Sequence, residues 1–387
     1  MAIIRSDQGW CMRRLTGVLV VVIAAAACSA VPGMTADRTS PTGAPVPAST
    51  APESLPPALA HRAAHSMTPL PDGSLLLAGG CVEDGCSVAT ASTYVVRGAT
   101  AEPAEPMRQA RDAHSAVALA DGRVLVAGGF EAEGTAPLRS AEVYDSRSGR
   151  WDVAGSLAVG RGGHAAARLG DGRVIVAGGW VGPRRYTTST EIFDPRTNTF
   201  TAGPDLPRAL LGIGAAALAD GSVLLAGGQT GPTTASGLAV RVTTTGELLQ
   251  DGRLGTPRYK HGVVVLASGE ALVIGGTTDD SDMLATTEIF DLRTKRFRPG
   301  PNLRVGRYKL SALVLPDGRV FVIGGSAGAE VLDPVAATSE TVDALGPTVA
   351  SFATVGVTGG YLRVIGGYDA AIRLSDVDLS LPLAKLT

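Results

Sequence analysis

The chain is poor in the residues that build most active sites. Its 387 residues include 4 cysteines, 5 histidines and only 4% aromatics. Charged residues make up 18%, the formal net charge is −2, and no tract is basic. Nucleic-acid binding needs a clustered positive surface, so that class is excluded. No Gly-x-Ser-x-Gly elbow and no phosphate loop stands in a strand-to-helix setting. Outside the first thirty residues the only cysteines are Cys81 and Cys86, with no second pair and no nearby histidine to complete a zinc site. The one long apolar stretch, residues 15–27, is too short to span a bilayer comfortably. What the chain does have is a 45% hydrophobic content, enough for a large core, and 50 glycines.

The glycines are periodic. A pair recurs seven times, at Gly79-Gly80, Gly128-Gly129, Gly178-Gly179, Gly227-Gly228, Gly275-Gly276, Gly324-Gly325 and Gly366-Gly367. A fixed period in this range marks one supersecondary unit copied and stacked. Each pair closes a short apolar run such as Val174-Ile175-Val176-Ala177, which reads as a buried strand. Five runs follow an Asp-Gly dipeptide, a tight-turn signal that places a further strand before it. After the pair come a variable polar stretch and a third strand, as in Thr190-Glu191-Ile192-Phe193-Asp194. A turn then leads to a fourth strand opening on Trp151, Phe200 or Phe297. Four short antiparallel strands per repeat make one propeller blade.

Double glycine, then Glu-Val/Ile-Tyr/Phe-Asp, a turn and an aromatic resembles the kelch repeat, over residues 61–387. The resemblance implies an all-β fold, a seven-bladed β-propeller of four-stranded antiparallel blades. Blades four and seven lack the Glu-x-aromatic-Asp segment and the aromatic, so their outer strands depart from the pattern.

Residues 1–28 read as an export signal. Arg13-Arg14 precede the apolar stretch, and Ala25-Ala26-Ala27-Cys28 resembles a bacterial lipobox with alanine where leucine is usual. Lipidation at Cys28 is expected, with an ordinary secretory signal as the alternative. Asp7 and Trp10 are out of place in a signal, which makes Met12 a second candidate start. Residues 29–60, rich in Pro, Ser, Thr and Ala, read as a flexible spacer between membrane and domain. The expected address is the outer face of a bacterial membrane or the cell envelope. In that oxidising setting Cys81 and Cys86 are expected to form a disulfide, with Gly85 allowing the turn.

Strand order places the loops after the glycine pairs (81–91, 130–139, 180–188, 229–237 and 277–285) on one face with the starts of the first strands. Variable loops on a rigid scaffold are the expected binding surface. Fourteen residues before the pair stand His65, His114, His164 and His261, and three residues earlier Arg62, Arg111, Arg161 and Arg258. Arg307 continues the pattern in blade six, while Leu210 with Ile213 and Val349 with Phe352 replace it in blades four and seven. The five arginines are expected to ring the channel mouth and contact an anionic ligand. Kelch domains resemble this in using arginines at that point against acidic partners. The alternative is structural: each arginine caps a strand or pairs with Glu142, Glu191 or Glu288. The histidines are expected to be structural, and the acidic loop Asp279-Asp280-Ser281-Asp282 a solvated one, its spacing matching no EF-hand.

The favoured function is a membrane-anchored binding scaffold, a monomer without cofactor or metal, whose partner is a protein or an anionic glycan. The alternative is a propeller enzyme acting on carbohydrate, either a copper oxidase of the galactose oxidase type or a hydrolase or lyase. The oxidase chemistry needs a cysteine cross-linked to tyrosine, a second tyrosine and two histidines, a set not evident here. A sialidase-type propeller would bring Ser-x-Asp-x-Gly-x-x-Trp boxes, which do not occur. Ring closure is expected from the C-terminal tail supplying the fourth strand of blade seven, with residues near 49–55 as the alternative.

Overall fold

A computed structural model describes residues 57–132 and 135–386. Within them seven antiparallel blade sheets surround one axis, and no helix exceeds four residues. Six blades have four strands and the seventh has three. The signal, the lipobox with Cys28 and most of the spacer lie outside the described residues. Among the described residues no helix is long and apolar enough to cross a membrane. The last four spacer residues, Pro57–Ala60, form a helical turn rather than an extended linker. Leu59 explains this: it is fully buried against Met67, Leu77 and Ile365, so the packed domain begins before residue 61.

Blade three shows how sequence becomes blade. Its strands are Ala165–Arg168, Val174–Ala177, Thr190–Asp194 and Thr199–Ala202. Val176 lies opposite Ala166 on one side and Glu191 on the other. The second strand is apolar at every position because it has a strand on each edge and a blade against each face. The fourth strand is an outer edge and mostly exposed. Cross-strand aromatic pairs hold the outer strands, with ring centroids 5.0 Å apart for Phe193 and Phe200 and 5.1 Å for Tyr144 and Trp151. Blade four lacks such a pair, and its outer strand shrinks to Leu248–Leu249.

First strands of successive blades pack side by side, and that of blade seven packs on blade one. At this closing seam Gly367 N–H donates to the Arg62 carbonyl at 2.7 Å, and Thr354 Oγ1 lies 2.6 Å from His65 Nε2. The tail does not supply a fourth strand: Asp378–Pro382 pairs with Tyr361–Ile365 as the third. The segment near 49–55 lies outside the described residues. Blade seven is also one residue shorter between its first strand and its glycine pair. Phe352 consequently takes the position before the repeat histidine, and Ala350 and Ala353 stand where arginine and histidine stand elsewhere.

Candidate binding site at the axial mouth

The five repeat arginines are not exposed at the mouth. Arg62, Arg111, Arg161, Arg258 and Arg307 are each at most 1% exposed. In blade three Arg161 donates through Nη1 to the carbonyls of Gly178 (2.9 Å) and Ser189 (2.8 Å). Its Nη2 donates to Ser189 Oγ (2.8 Å) and Glu191 Oε1 (2.9 Å). Glu191 in turn accepts the backbone N–H groups of Ala158 and Val159, in the segment that leads into the arginine. Arg111 with Glu142 and Arg258 with Glu288 repeat this arrangement, and Arg307 pairs with Glu330. Arg62 has Tyr94 where the others have glutamate and stacks on its ring at 5.2 Å; burial lowers its pKa to about 10. These guanidinium groups are buried and bonded through their Nη atoms or Nε inside their own blades, which corrects the expectation of a ligand-contacting ring and matches the strand-capping alternative.

The histidines are inter-blade struts. His114 Nε2 lies 2.9 Å from Ser66 Oγ, and His164 Nε2 lies 2.8 Å from Ser115 Oγ, each partner belonging to the preceding blade. Burial, followed by the charge of the neighbouring arginine, lowers the pKa of both to about 3, so they stay neutral. His261 faces Gly214, which offers no hydroxyl, and its ring nitrogens have no side-chain partner.

The mouth itself is built one position before the histidines. Ala64, Ala113, Gly163, Gly212, Lys260, Lys309 and Phe352 all have φ between 52° and 62°, one left-handed residue per blade. This bend lets five of the seven N–H groups reach the carbonyl of the same residue in the preceding blade. Ala113 bonds to Ala64 at 3.1 Å, Gly163 to Ala113 at 3.0 Å, Gly212 to Gly163 at 3.2 Å, Lys309 to Lys260 at 2.8 Å and Phe352 to Lys309 at 3.0 Å. Backbone hydrogen bonds thus run around the axis from blade one to blade four and from blade five to blade seven. Side chains at this position are small in blades one to four and large in blades five to seven.

That asymmetry gives the mouth its chemistry. Trp180 and Phe352, from blades three and seven, pack in both apolar clusters of the mouth, one with Tyr259, Tyr186 and Leu211, the other with Phe130 and Tyr368. Two lysines stand among these rings. Lys260 pairs with Asp280 of the acidic loop and lies 5.2 Å from the Tyr259 ring. Lys309 lies 5.0 Å from the Tyr308 ring and 5.5 Å from Phe352. Among the described residues no carboxylate is within ion-pair distance of it. Burial, and next the positive charge of Lys260, lower the Lys309 pKa to about 8.

Beside this cluster the expected disulfide joins Cys81 to Cys86. Cys81 is fully buried and Cys86 half-buried. Tyr368 Oη lies 2.8 Å from Cys86 Sγ and 3.2 Å from Cys81 Sγ. Asp112 completes the group: both sulfurs and a carboxylate oxygen lie within 4.8 Å of one another. Asp112 is 4% exposed, and burial raises its pKa to about 7.

Residues 113–158 and 161–207 match the kelch motif model, and the remaining blades repeat the same geometry around the ring. This chain is a kelch-repeat β-propeller. Among solved structures it is similar to a fungal alcohol oxidase of the AA5 family in complex with copper. That likeness has 20% identity and a TM-score of 0.63, covering 82% of this chain and 71% of that one. It is also similar to YjhT, at 12% identity and a TM-score of 0.58 over 75% of this chain and 99% of that one. At these identities the likeness concerns the fold. No curated protein matches the chain.

In this kelch propeller the lysines and aromatics of the mouth escape a reading of the repeat, because they are its exceptions. The position two after the arginine reads Ala, Ala, Gly, Gly, Lys, Lys in blades one to six, a break in size and charge visible in the sequence. A second overlooked signal concerns the arginines. Where blade four replaces arginine by Leu210, it replaces the glutamate by Val240, and the two pack in one apolar cluster. Their joint loss identifies a structural pair.

Proposed function

We propose that this propeller is a binding scaffold on the outer face of a bacterial membrane, held there by a lipid on Cys28, and that its axial mouth takes an anionic glycan. Lys309 is the observation that carries the reading. It is a half-buried ammonium at the centre of the variable face, without a carboxylate partner among the described residues. The half-buried rings of Tyr308 and Phe352 beside it offer apolar faces to the C–H surface of a sugar, while the ammonium takes a carboxylate or sulfate. Val88, Met283, Val305 and Ile372, exposed around the same face, add apolar contact. The export signal and the spacer support the address.

Calorimetric titration with uronic-acid oligosaccharides and neutral oligosaccharides of equal length tests this. The acidic ligands should bind, more weakly at higher salt, and Lys309→Met should lose roughly tenfold or more in affinity. Equal binding of neutral sugars, or an unaffected Lys309→Met, overturns the glycan reading. Binding of acidic peptides alone would point to a protein partner, and stoichiometric copper in the purified protein would favour the oxidase alternative.

A further inference from the structure

We infer that Cys81–Cys86 is a reactive disulfide that exchanges with dithiols reaching the mouth, with Asp112 carrying the proton for the buried thiol. Three observations converge. The two sulfurs differ in access: Cys86 is half-buried at the mouth, whereas Cys81 is sealed beneath it at 0% exposure. An incoming thiolate therefore has one sulfur to attack, and one defined leaving group. Tyr368 Oη, 2.8 Å from Cys86 Sγ, is a donor placed to stabilise a thiolate there. Asp112, on the neighbouring blade, is 4% exposed and has no side-chain hydrogen bond among the described residues, yet its carboxyl lies within 4.8 Å of both sulfurs. A buried carboxyl without a partner is costly to a fold, and a structural disulfide has no use for one.

The exchange balances as follows. A dithiol, after losing one proton to solvent, attacks Cys86 Sγ through its thiolate. The Cys86–Cys81 bond breaks and its electron pair leaves on Cys81 Sγ. A thiolate sealed at that depth is unfavourable, so the sulfur takes the proton of the neutral Asp112 carboxyl, directly or through one water. The second thiol of the reductant, after losing its proton to solvent, then attacks its own sulfur in the mixed disulfide and releases Cys86 as a thiolate hydrogen-bonded by Tyr368. The protein gains two electrons, the reductant becomes a cyclic disulfide, and Asp112 is reprotonated from solvent. Reduction frees the loop that holds the short 3-10 turn of residues 84–86, in which Asp84 accepts the Leu374 N–H of blade seven at 2.7 Å.

The test treats the folded full-length protein with dithiothreitol, traps thiols with iodoacetamide and assigns them by peptide mapping, while circular dichroism follows the fold. Cys81 and Cys86 should be reduced with the fold intact. Asp112→Asn should slow reduction on the order of tenfold or more, and Asp112→Glu should restore most of the rate. Reduction only in denaturant, or a natively folded Asp112→Asn reduced at the wild-type rate, overturns the inference. Should Asp112→Asn fail to fold, Tyr368→Phe decides: its equilibrium with dithiothreitol should shift toward the disulfide, and an unshifted equilibrium counts against the inference.

Discussion

Arg258 and Lys260, like Arg307 and Lys309, lie two residues apart at the entrance to one blade, and their fates differ completely. The arginines belong to a buried belt, and these two cations each meet a glutamate and several carbonyls. The lysines belong to the mouth, where Lys260 pairs directly with the Asp280 carboxylate and Lys309 lies over aromatic faces, with Asp280 beyond ion-pair distance. The belt recurs in five of the seven blades, which share one problem: how to satisfy the carbonyls where the chain leaves the glycine pair and enters the third strand. The mouth is aperiodic: alanine, glycine, lysine and phenylalanine occupy its equivalent positions. In a repeat protein the recurring residue speaks of stability, and the exception speaks of recognition.

The largest effect that separates the two regions is expected from Arg161→Ala set beside Lys309→Ala. Removing Arg161 leaves the Glu191 carboxylate buried without its cation and frees the Gly178 and Ser189 carbonyls. A loss of about 3–5 kcal/mol is expected in urea unfolding. Arg161→Lys should recover little of it, since one ammonium cannot reach four acceptors. Lys309→Ala should change stability by less than about 1 kcal/mol, because no buried partner is stranded. Equal losses in the two alanine variants would dissolve the distinction between belt and mouth.

A smaller contrast sets the glycine pair against the Asp-Gly turn. Gly128 has φ of 65°, and a Cβ there would lie 2.4 Å from the Arg161 carbonyl oxygen and 2.8 Å from His164 Cε1. Gly172 is also left-handed, with φ of 92°, but nothing lies within 4 Å of its would-be Cβ. Gly172→Ala should therefore lose only the backbone strain, about 1–2 kcal/mol. Gly128→Ala adds an overpacked contact of about 1–3 kcal/mol against the next blade's arginine strand. Matched thermal unfolding of the pair would show whether the glycine pairs serve turn geometry alone or blade-to-blade approach as well.

This contrast also marks what the sequence could carry. Blade count, strand order, the orientation of the variable face and the Cys81–Cys86 pairing all follow from local signals: Gly-Gly, Asp-Gly and alternating runs. The arginine's burial depends on a partner 30 residues on, as in Arg161 and Glu191, and shows in sequence only through their joint loss at Leu210 and Val240. The left-handed ring leaves no residue signature, since alanine, glycine, lysine and phenylalanine all occupy it. Asp112 and Tyr368 meet the disulfide from blades at opposite ends of the chain, and nothing in the local pattern joins them.

The smallest effect is a slope. His164 has a folded pKa of about 3, held down chiefly by burial, against about 6.5 when unfolded. The unfolded chain thus binds the extra proton between these values, so this histidine's contribution is complete above pH 6.5 and declines as pH falls toward 3. At pH 5.5 the decline is about 1.4 kcal/mol relative to pH 8. Asp112 acts in the opposite sense: its carboxyl, raised to about 7, binds its proton more tightly in the fold and adds stability as pH falls from 7 toward 4. Comparing wild type with His164→Gln from pH 8 to 5.5 isolates the histidine, because Asp112 is common to both. The variant should be less stable at pH 8, and the gap should narrow by about 1.4 kcal/mol at pH 5.5. A gap that stays constant would mean that His164 binds its proton equally well in the folded and unfolded chain, and a gap that widens would mean that the strut to Ser115 carries the protonated ring.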